Sequence, residues 1–86
     1  MNINQLISIV KKKINHNLKC ENVEVEDKTF LHVKHKSSDK NKFHIQIKIK
    51  SFELKKLSKI DSNKRVYKIL KKEIKNNIHS IQILID

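Results

Sequence analysis

His79 is the residue of this sequence whose side chain and position point most directly to chemistry. It stands where the spacing of apolar residues changes from that of a helix to that of a strand. The helical set is Val66, Tyr67, Leu70, Ile74 and Ile78, and the alternating set is His79, Ile81, Ile83 and Ile85. Strict alternation predicts that His79 begins the last strand on the same face as the isoleucines. An imidazole there is a candidate metal ligand, although spacing alone favours a hydrogen-bonded core residue.

The other histidines are weaker candidates. His32 and His35 fall in a lysine-rich polar stretch, where the residues alone predict solvated side chains. His16 and His44 are expected at the surface, since His44 alternates with lysines in a predicted strand. The sequence contains no nucleophile–base pair, no paired carboxylates and no phosphate-binding glycine loop, so we predict that the protein is not an enzyme.

The single Cys20 excludes an internal disulfide and a metal site made only of cysteines, and it fits a reducing compartment. No apolar run approaches the roughly 18 residues of a membrane span, so no membrane association is expected. We therefore expect a cytoplasmic protein. A mitochondrial location would require that a presequence had been removed.

The net charge is +11, from 20 lysines and arginines against 9 aspartates and glutamates. Such a charge attracts polyanions, but a single arginine argues against base-specific recognition, which usually relies on bidentate arginines. Four basic residues of the predicted second and third helices are candidates for contact with an acidic partner or with phosphates: Lys59, Lys64, Arg65 and Lys68. In a lysine-rich chain they could equally form a solvated face.

The elements that must position these residues form one predicted domain, residues 1–86, with the order α-β-β-α-α-β. Predicted bounds are a helix over 2–18, strands over 22–28 and 43–50 around a loop at 31–42, a short helix within 51–62 that Ser58 could cap, a helix over 63–77 and a strand over 78–85. The middle strands predict an antiparallel hairpin, and the last strand can return parallel to it. We expect an α+β fold: a three-stranded mixed sheet with helices on one face.

Several segments of the chain resemble the BolA-like protein family. They are Val23–Asp27, Phe30–His32, Phe43 and Phe52 in the first half, and Ser58–Tyr67, Leu70, Glu73–Ile74 and Ile78–Ile81 in the second. The most specific piece is Val66-Tyr67-x-x-Leu70-x-x-Glu73-Ile74, followed by Ile78-His79. The resemblance covers nearly the whole chain, and it implies a fold like a class II KH domain.

The resemblance also implies a function. Members of this family are partners of monothiol glutaredoxins, with which they share a bridging 2Fe–2S cluster in cluster trafficking, cluster assembly or iron regulation. The glutaredoxin supplies a cysteine and a bound glutathione supplies a thiolate. Carried onto this chain, the family's C-terminal histidine is His79, and the second ligand is His35 or His32, with His35 slightly ahead because it lies deeper in the loop. The isolated chain is expected to be a monomer without a cluster.

The chain departs from the family pattern in three places. Glu53-Leu54 stands where many members have a glycine, Ser62-Asn63-Lys64 replaces Arg-His-Arg, and the loop cysteine of one subgroup is absent, since Cys20 is not a match. The alternative function is a DNA-binding transcriptional regulator that uses the basic KH-like surface, with weak nucleic-acid binding. The chain has no glycine, so it lacks the Gly-x-x-Gly loop with which KH domains approach RNA.

Overall fold

The computed structural model describes residues 1–29 and 42–86, and within them the chain forms a three-stranded mixed sheet with helices packed on one face. The elements are α1 (Ile3–Asn17), β1 (Asn22–Asp27), β2 (Phe43–Lys50), α2 (Phe52–Lys55), α3 (Lys59–Ile69), α4 (Lys71–Asn76) and β3 (Ile78–Ile85). The strand order is β1-β2-β3, with β2 antiparallel to β1 and parallel to β3. The predicted α+β architecture is confirmed.

Helix α1 starts at a capping box. The Asn2 side chain accepts a hydrogen bond from the Gln5 N–H at 2.8 Å, and the Gln5 side chain accepts one from the Asn2 N–H at 3.0 Å. Leu6, Val10 and Ile14 then recur at helical spacing and are fully buried. This stripe covers the apolar face of the sheet, so α1 is one side of the core.

The hairpin of β1 and β2 is regular along its whole length. Its register runs from Asn22 opposite Lys50 to Asp27 opposite Ile45. Alternation places Val23 and Val25 in the core and leaves the other face of the sheet polar. The register is strongly specified, because a slip of one residue would expose every apolar side chain of the strand.

The helices between β2 and β3 differ from their predicted bounds. Ser51 caps α2, and Ser58 caps α3, the longer helix, which starts earlier than the predicted 63–77 helix. That predicted helix is broken at Leu70, whose φ of −99° and ψ of 17° separate α3 from α4. Hydrogen bonds from Leu70 N to the Val66 carbonyl and from Ile74 N to the Leu70 carbonyl persist across the break. Apolar spacing also continues through it, so periodicity did not reveal the break.

A β-bulge at the start of β3 contradicts the predicted alternation. Phe43 lies opposite Ile78, but His44 lies opposite Ser80, so His79 is an extra residue in the ladder. The bulge reverses the side to which His79 points relative to strict alternation. The prediction that His79 shares the buried face of the isoleucines is therefore wrong, and its side chain is exposed.

The core is continuous across the helical layer and the sheet. Its buried apolar members are Leu6, Val10, Ile14, Leu18, Val23, Val25, Ile45, Ile47, Ile49, Leu54, Val66, Leu70, Ile78 and Ile83. No helix of the described residues is long and apolar enough to cross a membrane.

Candidate functional site

The exposed imidazole of His79 follows a segment of backbone that is anchored to α4 and to β2. Helix α4 ends at Asn76, and the Asn77 N–H closes its last turn by donating to the Glu73 carbonyl at 2.7 Å. The Asn77 carbonyl then accepts from Phe43 N at 2.9 Å, and the next residue, Ile78, is buried. His79 thus follows immediately after a junction tied to both α4 and β2.

Among the described residues, the ring of His44 packs against that of His79. The centroids of the two imidazole rings are 4.9 Å apart, and the ring planes are inclined by 58°. His44 Nδ1 is 2.5 Å from the Ser80 hydroxyl, so the residue beside His79 in sequence fixes the ring that packs against it. His44 is only 6% exposed, and its predicted placement at the surface is wrong. Its position on the polar face was predicted, but there the His79 ring and the Ser80 hydroxyl contact it.

The ends of the segment that carries His32 and His35 both lie beside this pair of histidines. At one end, the Thr29 hydroxyl accepts a hydrogen bond from the His44 N–H at 3.2 Å. At the other end, Phe43 is paired with Ile78. His32 and His35 themselves lie outside the described residues.

A salt bridge between α1 and α4 holds the helix that leads to His79. Lys13 Nζ lies 2.8 and 2.7 Å from the two carboxylate oxygens of Glu73. The Glu73 side chain is 6% exposed, whereas that of Lys13 is 37% exposed. Sequence reasoning noted Glu73 only as part of a family pattern, and nothing in the spacing of the sequence identifies Lys13 as its partner.

The four basic residues proposed for partner or anion contact all lie on α3 and are exposed: Lys59, Lys64, Arg65 and Lys68. Lys64 and Lys68 are four residues apart and therefore share one face of the helix. Arg65 is engaged with Glu53 of α2 at 3.2 Å. Tyr67 and Ile60 are also exposed on α3, so this helix presents both cations and apolar surface to solvent.

Cys20 is partly buried. Its Sγ lies 3.3 Å from Asn15 Oδ1 and 3.6 Å from the Leu18 carbonyl, which it can meet as a donor. Burial raises the pKa of the Cys20 thiol, and the nearby Glu53 carboxylate raises it further. The thiol is therefore held in its protonated form, the opposite of what a metal-binding or nucleophilic cysteine requires.

No group of three or more histidine, cysteine, aspartate or glutamate side chains within residues 1–29 and 42–86 is arranged to hold a metal ion. In place of such a group, His79 offers a single exposed imidazole on an ordered strand. One such ligand fits a metal centre whose remaining ligands come from elsewhere.

The order of the elements, the three-stranded mixed sheet and the helices on one face define an α+β domain with a fold like that of a class II KH domain. The chain belongs to the BolA-like protein family, whose model matches residues 14–85. The resemblance seen in the sequence is thereby confirmed.

Solved structures of low sequence identity share the fold. The BolA domain of SufE1 from Arabidopsis thaliana has a TM-score of 0.83 at 22% identity and covers 99% of this chain and 94% of its own. BolA1 from Arabidopsis thaliana has a TM-score of 0.77 at 21% identity, over 93% of this chain and 88% of its own. A bol-like protein from Babesia bovis has a TM-score of 0.70 at 18% identity, over 92% and 80%. A comparison with curated protein sequences gave no match.

Proposed function

We propose that this chain is an adaptor that binds a monothiol glutaredoxin and shares a bridging 2Fe–2S cluster with it, in cluster trafficking, cluster assembly or iron regulation. The observation that carries the proposal is the placement of His79. It is an exposed imidazole beside a buried imidazole. Thr29, at one end of the 30–41 segment, is hydrogen-bonded to the backbone of that buried His44, and Phe43, near the other end, pairs with Ile78 just before His79. Membership in the BolA-like family supports the same function.

His79 is suited to be this chain's contribution to a shared cluster. A neutral imidazole binds iron, and histidine in place of cysteine raises the reduction potential of a 2Fe–2S cluster. The bulge directs the side chain toward solvent, where a partner can reach it. Packing against His44 restricts the orientations of the His79 ring, which lowers the entropy lost when it becomes a ligand. The cluster itself is cargo, and a cysteine of the glutaredoxin and a glutathione thiolate would supply ligands on the partner's side.

The second ligand from this chain is His35 or His32. Three residues of extended chain span at most ~10 Å and six span at most ~20 Å, so both histidines are within chain reach of Thr29. Thr29 is itself hydrogen-bonded to the backbone of His44. Chain length therefore permits either histidine to approach His79.

The basic face of α3 is proposed as the docking surface for the glutaredoxin. Lys59, Lys64 and Lys68 are exposed there, and Arg65 lies beside them in a surface ion pair with Glu53. With a net charge of +11, the chain attracts an acidic surface and is steered toward it at low salt. Association through exposed charges should weaken as salt rises.

The proposal is tested by reconstituting the chain with a monothiol glutaredoxin, glutathione and iron. The heterodimer's cluster is followed by visible circular dichroism. His79→Ala should change the spectrum and speed cluster loss. The matched control is His16→Ala, an exposed histidine on α1 that should leave both unchanged. If His79→Ala gives the spectrum and the cluster lifetime of the unsubstituted chain, His79 is not a ligand.

A nucleic-acid-binding function remains the second candidate because four basic residues and Tyr67 are exposed on one helix. Binding of this kind would be electrostatic, and log affinity would fall linearly with log salt concentration, without sequence preference. A footprint with sequence preference at physiological salt would favour this candidate over the adaptor function.

A further inference from the structure

The outer edge of β3 differs from the outer edge of β1 in a way that points to a second binding surface. Strand β1 carries three acidic residues, Glu24, Glu26 and Asp27, which discourage edge-to-edge pairing. Strand β3 has eight residues and no acidic, lysine, arginine or proline residue among them. Within the part of the chain that the structure describes, no strand pairs with the outer edge of β3. An apolar edge strand of this length is a ready site for another strand.

The backbone groups of this edge can be assigned. Asp86 N–H donates to the Ile49 carbonyl at 2.9 Å, so it points inward to β2. Because backbone groups alternate along a strand, the N–H groups of Ile85, Ile83 and Ile81 point to the outer edge. These are the groups to which an added strand would hydrogen-bond.

A cleft runs along the C-terminal half of this edge, between β3 and the helices. Leu54, Leu57, Ile83 and Ile85 supply its apolar surface. Side chains on the helix-facing side of an added strand would enter this cleft. It lies at the end of β3 opposite to His79, about 20 Å away for six residues of strand. It is therefore separate from the proposed ligand site.

The charge around the cleft selects among the possible occupants. Lys55 and Lys59 line it, and Asp86 is its one carboxylate among the described residues that border it. A second copy of the chain would bring another net charge of +11 and would be repelled. A nucleic acid would find no aromatic side chain on which to stack among these lining residues.

We propose that the β3 edge and its cleft bind an extended peptide segment that carries both apolar and acidic residues on its helix-facing side. The segment adds a fourth strand to the sheet through the backbone of Ile81, Ile83 and Ile85. On that side, its apolar side chains enter the cleft beside Leu57, and its carboxylates lie near Lys55 and Lys59. This surface goes beyond the proposed cluster sharing and does not depend on it.

The test is a titration of the isotope-labelled chain with a capped peptide of eight residues, the length of β3. Two valines and two glutamates follow one another in turn, so that each face of the extended peptide carries both residue types. Amide shifts should concentrate at Ile83, Ile85, Lys55 and Leu57. Hydrogen exchange at the outward amides of Ile83 and Ile85 should slow when the peptide is bound. A peptide with lysine in place of glutamate should bind more weakly, by a factor of roughly five or more.

Substitutions separate the cleft from general charge and apolar effects. Lys55→Glu and Leu57→Glu should each weaken peptide binding roughly fivefold. The matched controls are Lys11→Glu on α1 and Ile60→Glu on α3, both at exposed positions, which should leave binding within about twofold. If Leu57→Glu does not fold, Lys55→Glu and the amide shifts still decide the question.

Three outcomes would overturn the proposal. One is that the glutamate and lysine peptides give the same shifts, or shifts away from β3. Another is that an oligothymidylate perturbs the same amides more strongly than the peptide, which would assign the cleft to nucleic acid. The third is that the β3 amides broaden with protein concentration in the absence of peptide, which would assign the edge to a second copy of the chain.

Discussion

His44 and His79 lie with their imidazole centroids 4.9 Å apart, although strict alternation along the two strands would place them on opposite faces of the sheet. The bulge at His79 brings them together by adding one residue to β3 opposite the Phe43–His44 step of β2. One of the two rings is buried and hydrogen-bonded, and the other is exposed. A buried imidazole that supports an exposed one is the arrangement expected for a preorganised ligand.

The first prediction concerns Ser80, whose hydroxyl lies 2.5 Å from His44 Nδ1. Ser80→Ala removes this partner, so the His44 ring gains freedom and His79 loses a fixed neighbour. We expect the cluster shared with a glutaredoxin to be lost about tenfold faster, the lower end of the effect of second-shell changes at metal sites. Cluster loss is measured by the decay of visible circular dichroism.

Two variants control for Ser80→Ala. Ser80→Thr keeps the hydroxyl and should restore the lifetime, and Ser8→Ala, at an exposed position of α1, should not change it. In the cluster-free chain, Ser80→Ala should also shift the ring signals of His44 and His79 in the NMR spectrum. Unchanged ring signals would show that Ser80 does not orient this pair.

The second prediction tests the bulge itself by deleting His79. With the bulge, the deletion leaves Ile78 opposite Phe43 and Ser80 opposite His44, so Ile81 and Ile83 stay in the core. We expect the variant to fold with a loss of stability on the order of 1 kcal/mol. Under strict alternation, the same deletion would turn those isoleucines outward at about 1.5–3 kcal/mol each.

Urea denaturation distinguishes the two cases. Deletion of Ser80 should behave like deletion of His79, because either removes the extra residue, whereas His79→Ala should leave the bulge in place. A variant lacking His79 that is unfolded in buffer would contradict the register of β3. If it folds, the cluster that it shares should show a changed spectrum and faster loss, as is expected of His79→Ala.

The fold followed from the sequence because its signals are local and consistent. The apolar stripe of α1 and the alternation of β2 each point to a single burial pattern, and both are confirmed. The order of the strands follows from the β1–β2 connection, in which no helix is predicted, and from the helical crossover to β3. The break at Leu70 could not be predicted, since neither a glycine nor a proline marks it and the apolar spacing continues.

The surroundings of His79 could be predicted only in part. Ile78 and Ile81 are three residues apart and both pack on the core, which a regular strand does not allow and a bulge does. This three-residue spacing is typical of a bulge. The sequence alone did not reveal the bulge, because Ile78 also fits the end of the helical stripe. The burial of His44 depends on its ring meeting His79 and Ser80 across the sheet, so it required the register.

The third prediction concerns the reactivity of Cys20. Its raised pKa means that less thiolate is present at neutral pH than for an unperturbed cysteine, so alkylation by iodoacetamide should be slow. The rate should keep rising with pH beyond the usual pKa of a thiol, where that of an unperturbed cysteine levels off. Because the pKa of Cys20 is raised in the folded chain, its thiol stabilises the folded state at pH values below its pKa in the unfolded chain. This contribution is lost as pH rises through its pKa in the folded chain.

Glu53→Gln removes the carboxylate that raises the Cys20 pKa, and it should speed alkylation at neutral pH. The increase should be partial, because burial is the larger cause and remains. Glu24→Gln, at an exposed position of β1, is the matched control and should have no effect. If the two variants react at the same rate, Glu53 does not act on the thiol.

The last prediction concerns the Lys13–Glu73 salt bridge, which joins α1 to the helix preceding His79. Lys13→Ala leaves the nearly buried Glu73 carboxylate without its partner, so we expect a loss of about 1–2 kcal/mol in the free energy of unfolding, reduced from the buried-pair value because Lys13 is partly exposed. Glu73→Gln should cost less, since the amide oxygen can still accept a hydrogen bond from Lys13.

The control is Lys50→Ala, whose pair with Glu21 spans 3.7 Å between exposed side chains and should contribute about 0.5 kcal/mol or less. Urea denaturation at low and high salt measures all three. Equal losses for Lys13→Ala and Lys50→Ala would show that the bridge does not hold α4 in place.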